Sequence, residues 1–275
     1  MNARAVLLWS MAALAVALVT TNPFYRALVV LAGADVLLGN RRPDRHLAGI
    51  GRLLAFGAAM AVVLNILLSH AGAHPFLMLP DWLPGIGGPW TFESLVYGLD
   101  AALGLTAAVL AVAPLAYILQ PHQLVDALPA RLERTGIALA AALNLVPGIG
   151  RSFHDVREAQ TMRGWRPTGI RSWSDVLMPV ALTSIEGSMD LAEAMEARAF
   201  GSGPRTRYAP GGWRRRDVVI AAAALVAIGL VVVTRLLGGA PDWYPYPVVT
   251  MPTIEPAMVV ACLLLSPPAL PWSRS

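Results

Sequence analysis

Apolar residues run along this chain in blocks, separated by short polar breaks. The first block covers residues 5–20 and stops at Thr21-Asn22-Pro23, a turn signal. The second, 27–38, is short for a bilayer crossing unless Pro23–Arg26 extends it, and it ends at Gly39-Asn40. After the polar break at 41–45 comes a third block near 53–69, then a Pro- and Gly-rich stretch at 70–90 without one basic residue. A fourth block reaches from 95 to 119. Residues 120–216 contain no convincing span; their apolar pieces, 137–149 and 176–185, suit buried or interfacial helices. A fifth block, 217–237, is strong. The Trp/Tyr/Pro stretch at 241–247 reads as an interfacial aromatic belt, and a weaker sixth block at 256–265 can extend backward through Met251.

Composition agrees with the pattern. The chain has 275 residues, of which 56% are hydrophobic and 14% charged, against about 25% charged in an ordinary soluble domain. The placement of Arg sets the orientation. Arg41, Arg42, Arg45 and Arg52 sit in or beside one break, and thirteen Arg fall between Arg131 and Arg216, whereas the alternate breaks hold only Arg26 and Arg235. By the positive-inside rule both termini and the 120–216 segment face the cytoplasm. The N-terminus has one Arg before its apolar block and no clear small-x-small cleavage site, so it reads as a retained first helix. The expected fold is all-α: a polytopic cell-membrane protein of about six transmembrane helices. Residues 1–119 form helices one to four, 120–216 a cytoplasmic helical domain, and 217–275 the last two helices.

Charge also excludes a chemistry. All 21 basic residues are Arg. A Walker A loop needs Lys to reach the β- and γ-phosphates, so the Gly-rich stretches at 84–89 and 147–151 read as turns. Cys262 stands alone, which rules out a disulfide framework or a Cys-based metal site. No cofactor is expected.

Within 120–216 two stretches match at a separation of 35 residues. Asp155, Val156, Glu158, Ala159 and Arg163 align with Asp190, Leu191, Glu193, Ala194 and Arg198. Both stretches are rich in helix formers, and both stop near glycine: Gly164 directly, Gly201 just beyond the second. Arg followed by Gly is a favourable helix ending by itself. Capping does not, however, require Asp and Glu at fixed distances upstream, and the duplication does. Each Glu lies five residues before its Arg, about 140° around the helix, so neither neutralises its own Arg. Two unpaired guanidiniums beside small and apolar side chains suit insertion into acidic-rimmed grooves.

These paired motifs, together with Asn144-Leu145-Val146-Pro147, Asn22-Pro23 and the order spans–helical domain–spans, resemble the transmembrane T component of energy-coupling-factor transporters, in the cobalt-transport permease family. In that family two Ala-Arg-Gly motifs end coupling helices, each docking on one of two ABC-type ATPase subunits. The resemblance implies coupling residues Met162-Arg163-Gly164 and Ala197-Arg198-Ala199, with Asp155, Glu158, Asp190 and Glu193 supporting their helices. Each motif departs from the family pattern at one position. Ala199 leaves open whether the second helix stops there or at Gly201. The implied partners are two ATPases, a small substrate-binding membrane subunit carrying a vitamin or metal ion, and the bilayer. Closure of the ATPases would draw the Arg-tipped helices together and tilt the cytoplasmic layer. A conventional ABC permease would carry one Glu-Ala-Ala coupling loop instead. An intramembrane enzyme would need a nucleophile or metal constellation that the spans do not show.

The remaining polar residues read more plainly. His70 and His74 have the i, i+4 spacing of a metal pair but lie in a Pro-flanked loop, so a solvated loop is expected. His46 and His122 are isolated, and His154 is expected to pack or cap within its helix. Asp35 and Asp100 fall inside spans, where a carboxylate marks either a substrate or proton path or a helix-to-helix contact. Asn65 and Thr106 are expected to hydrogen-bond between helices, and Ala55–Ala59 and Gly98–Ala102 to allow close approach. Arg214-Arg215-Arg216 reads as a headgroup-facing topology signal. Nothing supports nucleic-acid binding.

Overall fold

The computed structural model describes residues 2–40, 47–69, 71–80, 87–119, 123, 133–199, 213–239 and 242–266. Two compact units divide the chain: residues 1–120 with 213–275, and residues 121–212.

The first unit is a helical bundle. Its α1 (Ala3–Val19) and α2 (Pro23–Gly39) both start on an Asn cap. Asn2 and Asn22 accept hydrogen bonds from the amides of Arg4 and Phe24 at 3.1 and 3.0 Å, meeting donors that a helix start leaves unpaired. Pro23 takes the first helical position, where its missing N–H costs nothing. The second apolar block therefore lengthens to 17 residues. Next come α3 (Leu47–Leu68), a two-stranded antiparallel sheet of β1 (Pro75–Leu79) and β2 (Gly88–Thr91), and α4 (Phe92–Ile118). The bundle closes with α7 (Arg215–Leu236) and α8 (Pro256–Leu263), after the second unit's α5 and α6, given below.

Alpha4 packs against α1, α2 and α3, while α1 also meets α7. The buried face of α1 repeats at helical spacing through Ala5, Trp9, Ala12, Ala13 and Val16. Small residues let the backbones approach. A Cβ on Gly33 of α2 would stand 2.8 Å from the Leu110 carbonyl oxygen of α4, and one on Gly98 would stand 3.0 Å from Val62 Cα of α3. In lipid this close packing, rather than water exclusion, holds helices together. Ala55 and Ala59 are exposed and take no part, whereas Gly98 and Ala102 are buried. Asn65 and Thr106 donate to carbonyls of their own helices, Ala61 and Ala102, instead of bridging to neighbours. Each satisfies its polar group one turn back, which a helix offers without any partner.

Among the described residues three helices are long and apolar enough to cross a bilayer: α3 from Ala48, α4 and α7. Alpha8 has 8 residues and does not extend back through Met251. Residues 251–255 are not helical, and are held by Asn22 donating to the Thr253 carbonyl at 2.7 Å and by Tyr25 Oη accepting from the Glu255 amide at 2.6 Å. Pro256 then opens the helix.

The described residues of the connections at 20–22, 69, 71–80, 87–91 and 242–255 meet at one end of this bundle. Ser69 and Tyr246 hydroxyls lie 2.7 Å apart, the Ala73 amide donates to the Pro247 carbonyl, and the Trp243 amide donates to Thr21. Tyr97, Tyr244 and Tyr246 form an edge-packed aromatic cluster beneath. The Asn2 amide donates to Asp217 Oδ1, joining the starts of α1 and α7. The β1–β2 hairpin stands where the sequence reads only as a loop.

Candidate functional site

The second unit holds α5 (Glu133–Met162), a 3-10 turn (Ile170–Trp173) and α6 (Ser174–Ala197). Among its described residues only Val176 and Val180 are buried. Met178, Leu182, Ile185 and Met189 form an exposed apolar stripe along α6, at spacings of four, three and four residues. Pro147 and Pro179 sit inside the two helices.

Both Arg motifs end their helices in the same way. At the first, Arg163 follows the last helical residue, and Gly164 adopts φ +87°. The Gly164 amide donates to the Thr161 carbonyl and the Trp165 amide to the Gln160 carbonyl, at 3.0 and 2.9 Å. This pair of reversed bonds is the Schellman ending. At the second, Arg198 again follows the last helical residue, and the Ala199 amide donates to the Glu196 carbonyl at 2.8 Å. Ala199 has φ +54°, the only non-glycine residue with positive φ among those described. The stop left open between Ala199 and Gly201 is at Ala199. Alanine there adopts the left-handed turn that glycine adopts at 164, against a Cβ penalty of about 1–2 kcal/mol.

Arg163 and Arg198 are both exposed, and neither makes an ion pair among the described residues. Met162 is 80% exposed beside the first. Asp155, Glu158, Asp190 and Glu193 are exposed as well. The ends are also far apart. Arg163 lies just past Gln160, whose side chain donates to the Asp175 carbonyl in the first turn of α6 at 3.3 Å. Arg198 lies at the other end of that helix, about 36 Å along its axis at 1.5 Å per residue. One groove cannot receive both.

The other candidates resolve as local structure. Asp100, 7% exposed, accepts from Arg26 Nη1 of α2 at 2.5 Å, and Arg26 Nε donates to the Thr20 carbonyl at 3.0 Å. The guanidinium lies over Gly104, where a Cβ would come within 3.0 Å. Asp100 is thus a helix-to-helix contact. Asp35 points away from the bundle, exposed on α2. His74 is exposed, as a solvated loop requires, but its Nδ1 lies 2.6 Å from Oε1 of Glu93, a carboxylate with no exposed surface in the first turn of α4. Glu93 carries no signal in the sequence, because its partner sits nineteen positions earlier across the hairpin. His154 neither packs nor caps; it is exposed, 3.9 Å from Glu158. His46, His70 and His122 lie outside the described residues, which contain no group of metal-ligating side chains. Arg214, the cap of α7, and Arg215, its first residue, are both exposed.

Together these features define an all-helical, polytopic membrane protein with a helix pair that presents two separate Arg-tipped ends. The profile of the cobalt transport protein family, CbiQ, matches residues 1–208, a stretch that includes both ends, and the chain belongs to that family. Among curated proteins it is 24% identical over 237 residues to the energy-coupling factor transporter transmembrane protein EcfT of Bacillus selenitireducens, covering 80% of this chain and 86% of that one. It is 25% identical over 235 residues to EcfT of Limosilactobacillus fermentum, covering 78% and 83%. Against EcfT of Lactobacillus helveticus the identity is 25% over 167 residues, covering 53% and 60%. The resemblance to the T component of energy-coupling-factor transporters holds, and the chain is a membrane transport protein.

Proposed function

We propose that this chain is the coupling subunit of an energy-coupling-factor uptake transporter. It passes ATP-driven movement of two ABC-type ATPase subunits to a small substrate-binding membrane subunit importing a vitamin or metal ion. The observation that carries this reading is the pair of matched helix ends. Each exposes an Arg without an ion pair among the described residues, each is closed by a left-handed residue, and α6 keeps them too far apart for a shared socket.

In this reading Arg163 and Arg198 insert into acidic-rimmed grooves, one on each ATPase, as bidentate cations. Gly164 and Ala199 end the backbone abruptly so that the Arg leads, while Met162 and Ala197 supply apolar flanks. Asp155, Glu158, Asp190 and Glu193 keep the rest of each helix end hydrated and leave the Arg charge uncancelled. The chain has no Lys for a phosphate-binding loop, so hydrolysis belongs to the partners. Thirteen Arg between 131 and 216 support a cytoplasmic location for this unit and both termini.

Arg163→Ala with Arg198→Ala tests the assignment. Both side chains are exposed, so folding and insertion should stay within about 0.5 kcal/mol of the parent. ATP-driven uptake by the reconstituted complex should be lost. Normal uptake by the double variant would end the proposal.

A further inference from the structure

The connection between the two Arg-bearing helices is built rather than slack. Trp173 closes the 3-10 turn and stacks on Phe153 of α5, with ring centroids 6.2 Å apart and planes within 8°. Trp165, two residues past Arg163, meets the same Trp173 edge-on at 5.4 Å. The Trp165 indole N–H donates to the Ser172 carbonyl at 3.0 Å, so this ring is pinned at its polar end too.

Short bonds fill the rest of the turn. Ser172 Oγ donates to the Gly169 carbonyl at 2.7 Å and accepts from the Thr168 amide, and Ser174 Oγ donates to the Arg171 carbonyl. Gln160 ties the last turn of α5 to the first turn of α6. Every bond in this set joins residues between 153 and 175. They lock the chain on both sides of Arg163, while among the described residues the remainder of the unit buries only Val176 and Val180.

We infer that Phe153, Trp165 and Trp173 form a rigid elbow that fixes the angle between α5 and α6, making both Arg ends one body. Trp165 and Trp173 are positioning residues: they touch no partner socket but set where Arg163 points relative to Arg198. The inference rests on the coupling role proposed above. It changes how motion is transmitted. Partners that close on the two ends do not narrow the gap between them; they turn the helix pair as a unit. A packed aromatic joint has discrete arrangements and does not deform continuously.

Spin labels at Arg157→Cys and Ala192→Cys, in the full chain with Cys262→Ala, test this in lipid nanodiscs by pulsed dipolar distance measurement. The chain alone should give one narrow distance, and Trp165→Ala with Trp173→Ala should broaden it. In the complex with its ATPases, ATP should leave the parent distance unchanged. The same double Ala variant should still bind the ATPases and hydrolyse ATP, but move about tenfold less substrate per ATP. Trp173→Phe keeps a stacking ring and should restore that ratio. A broad distance in the parent chain, an ATP-dependent shift, or an unchanged transport ratio in the Ala variant would overturn the elbow. The coupling reading fails separately: a narrow distance persists even if Arg163→Ala with Arg198→Ala transports normally.

Discussion

The membrane bundle keeps a buried apolar core beneath an exposed apolar outer face, whereas the helix pair, among its described residues, buries almost nothing. In the bundle, α1 turns Ala5, Trp9, Ala12 and Val16 inward, and even its ionic side chains, Arg26 with Asp100 and Glu93 with His74, are joined within the unit. In the helix pair, Met178, Leu182, Ile185 and Met189 face outward, and the Arg ends make no ion pair among the described residues. A unit that satisfies its own groups is a scaffold. One that leaves an apolar stripe and two cations open is built to be completed by something else. On the proposed coupling role, the open unit is the one that partners complete.

Single substitutions sharpen that contrast, beginning with the largest expected effect. Asp100→Ala leaves the Arg26 guanidinium inside the bundle without its carboxylate, and should cost about 3–5 kcal/mol. Unfolding in mixed micelles should show the loss, with Arg26→Leu/Asp100→Leu recovering much of it. Gly33→Val pushes a side chain into the Leu110 carbonyl, 2.8 Å from the Cβ position. Its cost in the same assay should be about 1–3 kcal/mol. In the helix pair the effects are smaller. Ala199→Gly relieves the left-handed strain and should slow amide exchange near 197–199 by about 1 kcal/mol, while Gly164→Ala should speed it at 162–164. Leu182→Ser should change the stability of the chain alone by no more than about 0.5 kcal/mol, because its side chain is exposed. A large loss there would mean that the stripe is already covered within the chain.

Much of this fold is written locally. Asn22-Pro23 marks the start of α2 because cap and turn chemistry act within three residues. The strong fifth block, 217–237, falls within two residues of α7 at its start and one at its end. Contacts between distant residues are another matter. The hairpin strand Pro75–Leu79 lies between prolines and glycines, and only pairing with Gly88–Thr91 makes it a strand. Glu93 and His74, and likewise Arg26 and Asp100, are ordinary side chains until the bundle brings them together. Asn65 and Thr106 mislead for the converse reason: a polar group in an apolar helix suggests a neighbour, yet the carbonyl one turn back is nearer. The 35-residue repeat of the site is legible directly. Its two ends share one geometry only because Ala199 adopts a conformation that its side chain disfavours. The elbow was hidden because Phe153, Trp165 and Trp173 carry no charge and no metal chemistry to draw notice.

Counting ATPase subunits bound to each purified chain, by native mass spectrometry from gentle detergent, tests the central claim most directly. The parent chain should carry two. Arg163→Ala with Arg198→Ala should carry none while its own fold and membrane insertion persist, and a double variant that still carries two would contradict the account.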